Sequence, residues 1–465
     1  MSQQTLLLPR SVAGHLLPLL LVAAASTARA DDPPKAEPPL APDHFTFGSY
    51  GRFQLGSDLE GGTGRQVRLV ARPPRLLEGP YAEIDLGYDQ ATGEAKFHSQ
   101  VTLAVAQKLA HFTGRFDDNP IAVRNLYLEV RDVVPGLALW AGSRTVRGDD
   151  IYLLDTWPLD EQNAVGGGAS WNAGNTSVRA HVGMNRLDDA YQTQTIQVAA
   201  DPIGTRPVLL LDRLRVLGAG RVEHRVPAGG GLHVKGVVYL EAHGIGQGSR
   251  RRDDGTREAL PGDNGWVAGA ELGAWGFGPH SFANLFFRHG EGLGAYNTLA
   301  VPYGLGTDKT ASSAREWSLG LSANHETHAF GVNVGALVRY FVDADPNVYD
   351  RNDVWEFSGA VRPAWFITDV VHLLAEANLQ YQRPNGLSPE TLAQETPLAF
   401  QFALMPAVSL GRGSYARPQL RVVYAATLVN RSARLTYAPE DEWRLRKVQQ
   451  FLGVALEWWF HSSRY

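Results

Sequence analysis

The chain reads as an all-β protein, and more narrowly as an antiparallel β-barrel that crosses a membrane with its strands. Three observations predict this class. Stretches in which apolar and polar side chains alternate recur along most of the 465 residues. Short turns between them alternate with long polar loops. An export-type leader opens the chain, and no later apolar run is long enough for a membrane-spanning helix. Only a helix or a closed barrel satisfies every backbone group in lipid, so a membrane role for this chain requires the barrel.

The first 30 residues have the form of a cleaved signal peptide. Arg10 gives a positive start, Leu16 to Ala25 is a short apolar core, and Ala28-Arg29-Ala30 fits the small-x-small cleavage rule. Removing them, with their two arginines and no acid, takes the formal charge from −5 to −7. Residues 31–43, rich in proline and acid, read as an extended periplasmic leader, and 44–465 as the barrel domain. A mildly negative chain gives no reason to expect nucleic acid. There is no cysteine, so an exported fold must rest on hydrogen bonding and burial. Aromatics at 10% and 49 glycines suit many short two-faced strands, and composition alone leaves a soluble β-sandwich or solenoid equally open. The absence of a fixed 20–50 residue repeat lowers propellers and solenoids.

The strands justify the class one by one. In His44 to Gln54, Phe45, Phe47 and Phe53 share one face, and Tyr50, Arg52 and Gln54 the other. From Tyr81 to Tyr88, Tyr81, Glu83 and Asp85 oppose Ala82, Ile84, Leu86 and Tyr88. In Asn125 to Arg131, Leu126, Leu128 and Val130 alternate with Asn125, Tyr127, Glu129 and Arg131. Tyr415 to Tyr424 reads as a strand with Tyr415, Arg417, Gln419 and Arg421 on its polar face. Further runs lie at 98–109, 231–242, 315–323, 328–341, 370–382 and 399–410, with polar loops at 246–265, 301–314 and 343–353. The last strand, Phe451 to Phe460, puts Leu452, Val454, Leu456, Trp458 and Phe460 on a lipid-compatible face and Glu457 and Trp459 on the other. A core strand facing water rarely carries an aromatic on its wet side, yet several of these do.

One stretch stands apart. Trp140 to Gly168 opens like a strand, then packs Arg144, Arg147, Asp149, Asp150, Asp155, Trp157 and Asp160 into a loop before a glycine run. Such a loop folded into the barrel narrows its lumen.

At this point the residues resemble the maltoporin family of sugar-specific outer-membrane porins, which includes the sucrose porins. The resemblance is carried by FGSYGRF (47–53), YAEIDLG (81–87), WAGSRTVRGDDIYLLDTW (140–157), YARPQLRVV (415–423) and LEWWF (456–460). It implies 18 antiparallel strands, an inward-folded constriction loop, a homotrimer in the outer membrane, and facilitated diffusion of oligosaccharides along an aromatic path flanked by charges. On this resemblance Tyr50, Tyr81, Tyr415 and Trp459 are path aromatics. Phe116 is the aromatic lent to a neighbouring subunit's pore, and Trp157 stands at the constriction where maltoporins carry tyrosine. His280 falls where a phenylalanine is usual, with Phe282 as its substitute. The polar track carries over to Arg52, Arg75, Glu83, Arg124, Asp150 and Asp155, with Asp160 close by. The second arginine of the constriction loop falls at Gly148, and Arg147 is displaced from it by one. The cysteine pair of some maltoporins is absent, so the first long loop must be held differently.

The chemistry agrees with that resemblance. A pyranose has flat C–H patches suited to aromatic faces, and hydroxyls that arginine–carboxylate pairs can bind by charge-assisted hydrogen bonds. Conduction requires sites weak enough to leave. The expected partners are an oligosaccharide, outer-membrane lipid and two further copies of the chain, with no cofactor, metal or catalytic chemistry. Two alternatives stand beside this. A general or anion-selective porin would use the aromatics as packing only, and would show a ladder of inward basic residues. A barrel enzyme such as a lipase would need a nucleophile on its lipid face. Arg250 to Arg252 reads as an exposed loop. Clustered oxygens at 343–353 are spaced irregularly for calcium. His325-Glu326-Thr327-His328 has its histidines three apart in a turn, not four apart on a helix as a zinc-hydrolase motif needs.

Overall fold

The computed structural model describes residues 43–106, 121–200, 202–347 and 350–462. The signal and leader segments, apart from Asp43, and Phe116 lie outside these residues. In chain order the strands are β1 (His44–Ser57), β2 (Tyr81–Thr92), β3 (Ala95–Ala106), β4 (Ala122–Arg131), β5 (Leu137–Arg147), β6 (Glu161–Ala173), β7 (Thr176–Asn185), β8 (Thr193–Ala199) and β9 (Thr205–Asp212). They continue with β10 (Arg215–Gly229), β11 (Leu232–Ile245), β12 (Gly248–Arg251), β13 (Arg257–Leu260), β14 (Asp263–Trp275), β15 (Phe282–Gly292), β16 (Arg315–Glu326) and β17 (Phe330–Val342). The last are β18 (Val354–Phe366), β19 (Val371–Pro384), β20 (Leu398–Ser409), β21 (Gln419–Val429) and β22 (Val448–Phe460).

Eighteen of these form one antiparallel sheet, and β8–β9 and β12–β13 are separate hairpins in two of the long loops. The sheet is closed. Arg52 of β1 pairs with Tyr81 of β2 on one side and with Glu457 of β22 on the other. Closure leaves no edge whose N–H and C=O groups would face lipid. Side chains follow the predicted alternation: Phe45, Phe47, Ile84, Leu126, Leu128, Leu452 and Val454 point outward and are exposed, while Glu83, Asp85 and Glu457 point inward and are buried.

Aromatics gather where the outer face meets the rims. Phe47 and Phe460 lie 5.7 Å apart near the chain ends, and Trp355 packs on Trp317 (4.9 Å) and Tyr340 (4.7 Å) at the opposite rim. Turns at the rim of the termini are short. The β10–β11 connection is two glycines, Gly230 (φ +62°) and Gly231 (φ +84°), the left-handed pair that a two-residue hairpin demands.

The predicted strand at Tyr415–Tyr424 is corrected. The strand begins at Gln419, and Tyr415 and Arg417 sit in the turn before it. Pro418 has no N–H to give a ladder, and Gly411 (φ +95°) and Gly413 (φ +134°) turn the chain back. The run expected at 98–109 belongs to β3, which starts earlier, at Ala95, and is described to Ala106; residues 107–109 lie outside the described residues.

Much of the apolar core lies inside the barrel, between the wall and two inserted loops, and a further cluster around Tyr296 and Phe341 lies under the long loops. Residues 148–160, between β5 and β6, bring Ile151, Leu154 and Leu159 against Ala219, Val237, Tyr239, Val267, Phe286 and Leu337 of the inner wall. The wall is cut away to receive them. A Cβ at Gly335 would meet Ile151 Cγ2 at 2.9 Å, and one at Gly320 would meet Ile151 Cδ1 at 2.8 Å. The loop at 58–80 enters beside it, placing Leu76 and Leu77 against Phe366, Met405 and Phe451, and Val67, Leu69 and Val70 against Ala399 and Val429.

Candidate functional site

The 148–160 loop starts where β5 ends at Arg147 and finishes where β6 begins at Glu161. Ile151 and Thr156 pair across it, Tyr152–Leu154 makes one 3₁₀ turn, and Asp155 closes that turn in the left-handed region at φ +45°. Aspartate tolerates this conformation better than most side chains. Gly148 explains the displaced arginine. A Cβ at that position would run into Asp160 Oδ1 and Arg221 Nη1, so the guanidinium stands one residue earlier, at Arg147.

Arg147 and Trp157 stack on each other at the mouth of the loop. The guanidinium carbon lies 3.8 Å from the centre of the Trp157 ring, and Arg147 Nη2 is 3.6 Å from Glu161. Both residues line two cavities: one of ≈ 950 Å³ and one of ≈ 610 Å³ that also reaches Asp150, Lys235 and Phe282. The Trp157 ring is almost wholly buried.

Beside the larger cavity, Arg124 donates to the Tyr81 hydroxyl at 2.6 Å and pairs with Glu83, which also accepts from that hydroxyl. Thus Tyr81, Glu83 and Arg124 form one hydrogen-bonded group on β2 and β4. Behind the loop, Arg221 and Lys235 hold Asp149 at 3.2 and 2.7 Å, and Arg221 also holds the buried Asp160 at 3.3 Å.

The remaining expected residues converge on a group the sequence reading did not single out. Glu457 is buried at its centre. It accepts from Arg75 (2.8 Å), Arg417 (2.9 Å), Arg421 (3.4 Å) and the Tyr152 hydroxyl (3.0 Å). Arg75 also donates to the Tyr50 hydroxyl at 2.9 Å and pairs with Glu78 at 2.9 Å. Arg52 pairs with Asp155 and Glu78, each at 3.2 Å. Tyr50 is corrected in one respect. It points inward as expected, but its ring is fully covered (0% exposed), because the 58–80 loop lies over it through Arg75. Register alone cannot see a loop arriving from above the sheet.

Tyr152 was also missed. Its ring meets Tyr415 edge-on at 5.2 Å and Trp459 at 6.1 Å, while Phe282 lies 6.2 Å from Tyr415. The four rings therefore form one line on the side of the short turns. The only hint in the sequence was a tyrosine inside the apolar Ile-Tyr-Leu-Leu of a charged loop.

The first long loop is held without cysteine. Gln380 brackets the backbone of Val67 and Leu69 at 2.9 Å each, Glu356 accepts from Ala71 N–H, and the Arg75 N–H donates to Leu153 O at 2.9 Å. At its base Asp58 takes Arg446 at 2.6 Å and the N–H groups of Glu60 and Gly62. These hydrogen bonds, that of Arg446 foremost, hold the Asp58 carboxyl down at about 2. Among the described residues no group of three His, Cys, Asp or Glu is placed to hold a metal ion.

A closed 18-stranded antiparallel barrel with a lumen narrowed by inserted loops is an outer-membrane porin. Its family is equally plain: the LamB porin profile matches residues 45–460, and the chain belongs to that family. No curated protein matches it in sequence. Among solved structures it is similar to the outer membrane channel DcaP of Acinetobacter baumannii, with 8% identity, 90% of this chain and 98% of that one covered, and a TM-score of 0.46. It is also similar to OccK2 (OpdF) of Pseudomonas aeruginosa, with 14% identity, 90% and 97% covered, and a TM-score of 0.42. OccD3 (OpdP) of the same organism gives 11%, 90% and 91%, and 0.42.

Proposed function

We propose that this porin carries neutral oligosaccharides by facilitated diffusion, as a homotrimer exported on residues 1–30. The observation that carries the reading is the aperture. One aromatic, Trp157, stands under one guanidinium, Arg147, at the place where two cavities meet. A sugar passing there exchanges hydroxyl contacts with Arg147, Glu161 and Asp150, and its C–H faces meet aromatic carbon on the rings to either side. Tyr81 with Glu83 and Arg124 receives it on one side, and Phe282, Tyr415 and Trp459 on the other. Tyr50, Arg52, Arg75 and Asp155 act one step back, by fixing the loops that frame the aperture, and Asp160 fixes the far end of the constriction loop. Phe116 keeps its role as the aromatic lent to a neighbour.

Charge pairing favours this reading over an anion-selective pore. Arginines along the lumen are matched to carboxylates: Arg124 to Glu83, Arg288 and Arg339 to Glu316, and Arg147 to Glu161. Paired charges offer donors and acceptors to hydroxyls without a net field that selects ions. The test is single-channel conductance in a planar bilayer, titrated with glucose oligomers and sucrose. Saturable block of the ion current supports the reading, and open channels that no sugar blocks would refute it.

A further inference from the structure

The larger cavity has a second wall, made of residues outside the expected path. In the ring of 18 strands β2 and β15 are nine strands apart, so the walls built on β2 and on β15–β17 face each other across the lumen. The first carries Tyr81. The second carries Arg288, Glu316 and Arg339, and above them the loop at 293–314 presents Tyr303.

Tyr303 is held out on purpose-built support. Its ring stands edge-on to Tyr296 at 5.3 Å and tilts against Phe341 at 5.5 Å. Those two rings are buried (4% and 0% exposed), whereas Tyr303 is 45% exposed and lines the cavity. A tyrosine serving only to pack the loop would be covered like its neighbours. The backbone beneath it is tied down as well. Tyr296 donates its hydroxyl to Tyr303 O at 2.6 Å, Ala344 N–H donates to Gly304 O at 2.8 Å, and Arg215 donates to Leu293 O at 2.7 Å. A rigid aromatic costs little further ordering when a ligand meets it. Beside it runs a chain of ion pairs, Arg288 to Glu316 to Arg339 to Glu356, the last at 2.9 Å. It is balanced in charge and rich in hydrogen-bonding groups.

We infer that Tyr303 and the Arg288–Glu316–Arg339 strip form a separate docking subsite for one end of a neutral linear oligosaccharide, filled while another part of the chain reaches Trp157. This rests on the sugar reading above and extends it to substrate length. A volume of ≈ 950 Å³ is at the upper end of small-molecule sites and suits several linked pyranoses. A disaccharide at the aperture has no ring left for the far wall. Dependence on Tyr303 therefore grows with chain length.

The experiment is current-noise analysis of wild-type, Tyr303→Ala and Tyr303→Phe channels in planar bilayers, with a ladder of glucose oligomers added on the long-loop side. The expected result is a roughly 3- to 10-fold weaker block by the longer oligomers in Tyr303→Ala. Disaccharide block and ion conductance stay at wild-type values, and Tyr303→Phe retains the long-oligomer block. Equal block by every length in wild type and Tyr303→Ala would overturn the subsite. So would a uniform loss across all lengths with altered ion conductance, which marks a collapsed loop. A wild-type channel that no oligomer blocks would instead refute the sugar reading, and the subsite with it.

Discussion

The inner wall of this barrel has two halves with the same alternating pattern and opposite fates. On β2, β4 and β5 the inward side chains Tyr81, Arg124 and Arg147 line open space. Round the wall from β10 to β22, apart from the Arg288–Glu316–Arg339 strip, inward side chains such as Tyr239, Phe286, Phe366, Met405, Phe451 and Glu457 are covered by the loops at 58–80 and 148–160. Lining a lumen and forming a core are therefore not properties of a strand's pattern. What separates the halves is the loop that lies on them, and the loops choose the half whose wall offers glycine hollows, methyl groups and a buried carboxylate.

The strongest way to break this difference is Glu457→Gln. It leaves Arg75, Arg417 and Arg421 without their shared anion, a loss on the order of 3–5 kcal/mol for a buried pair. Both inserted loops should loosen, and single-channel conductance should rise and become noisy. Unchanged conductance would show that apolar packing alone holds them. Gly335→Val attacks the other anchor, pushing on Ile151 and Leu153, at a cost of roughly 1–3 kcal/mol of overpacking. It should raise conductance with quieter traces and lower the thermal midpoint of the barrel.

Trp157→Ala leaves the anchors alone and removes the aperture's aromatic. Sugar block should weaken while ion conductance persists or rises. Sugar titration of the current checks it, and unchanged block would remove Trp157 from the path. Gly148→Ala should act more gently, because the side chains of Asp160 and Arg221 must shift for a single methyl. A modest fall in the thermal midpoint, with sugar block kept, is the expected outcome.

The smallest effect concerns Asp58. Its carboxyl is depressed, so its hold on the 58–80 loop is complete above the ordinary carboxylate range and is lost only as pH falls toward about 2. Conductance should not change between pH 7 and pH 5 on its account. A step in that interval that Asp58→Asn abolishes would contradict the assignment.

Much of this was legible in the residues. Alternation in His44–Gln54, Tyr81–Tyr88 and Phe451–Phe460 is a local property of extended backbone, and it placed Glu83 and Glu457 inside and the phenylalanines outside before any strand was paired. The charged stretch after Trp140 marked the constriction loop. Tyr415 was placed on a strand because its neighbours alternate, although Pro418 breaks the ladder after it. Tyr152 was passed over, and Glu457 was placed inside without the arginines that gather on it, for a common reason: their partners are far away in the chain, 305 residues for the Tyr152–Glu457 bond and 382 for Arg75–Glu457.

By itself, then, the sequence determined the barrel, the direction of each strand's faces and the loop that enters the lumen. The barrel and its faces follow from side-chain period, turn residues and the demand that backbone groups be paired in lipid, whereas the inward loop is what the resemblance to the maltoporin family implied for the charged stretch after Trp140. Only the tertiary structure decided which inward residues meet the lumen and which become core. That choice depends on where two long loops come to rest, and their resting place is set by contacts between residues far apart in the chain: Arg75 with Glu457, Gln380 with Val67 and Leu69, and Ile151 with Gly320 and Gly335.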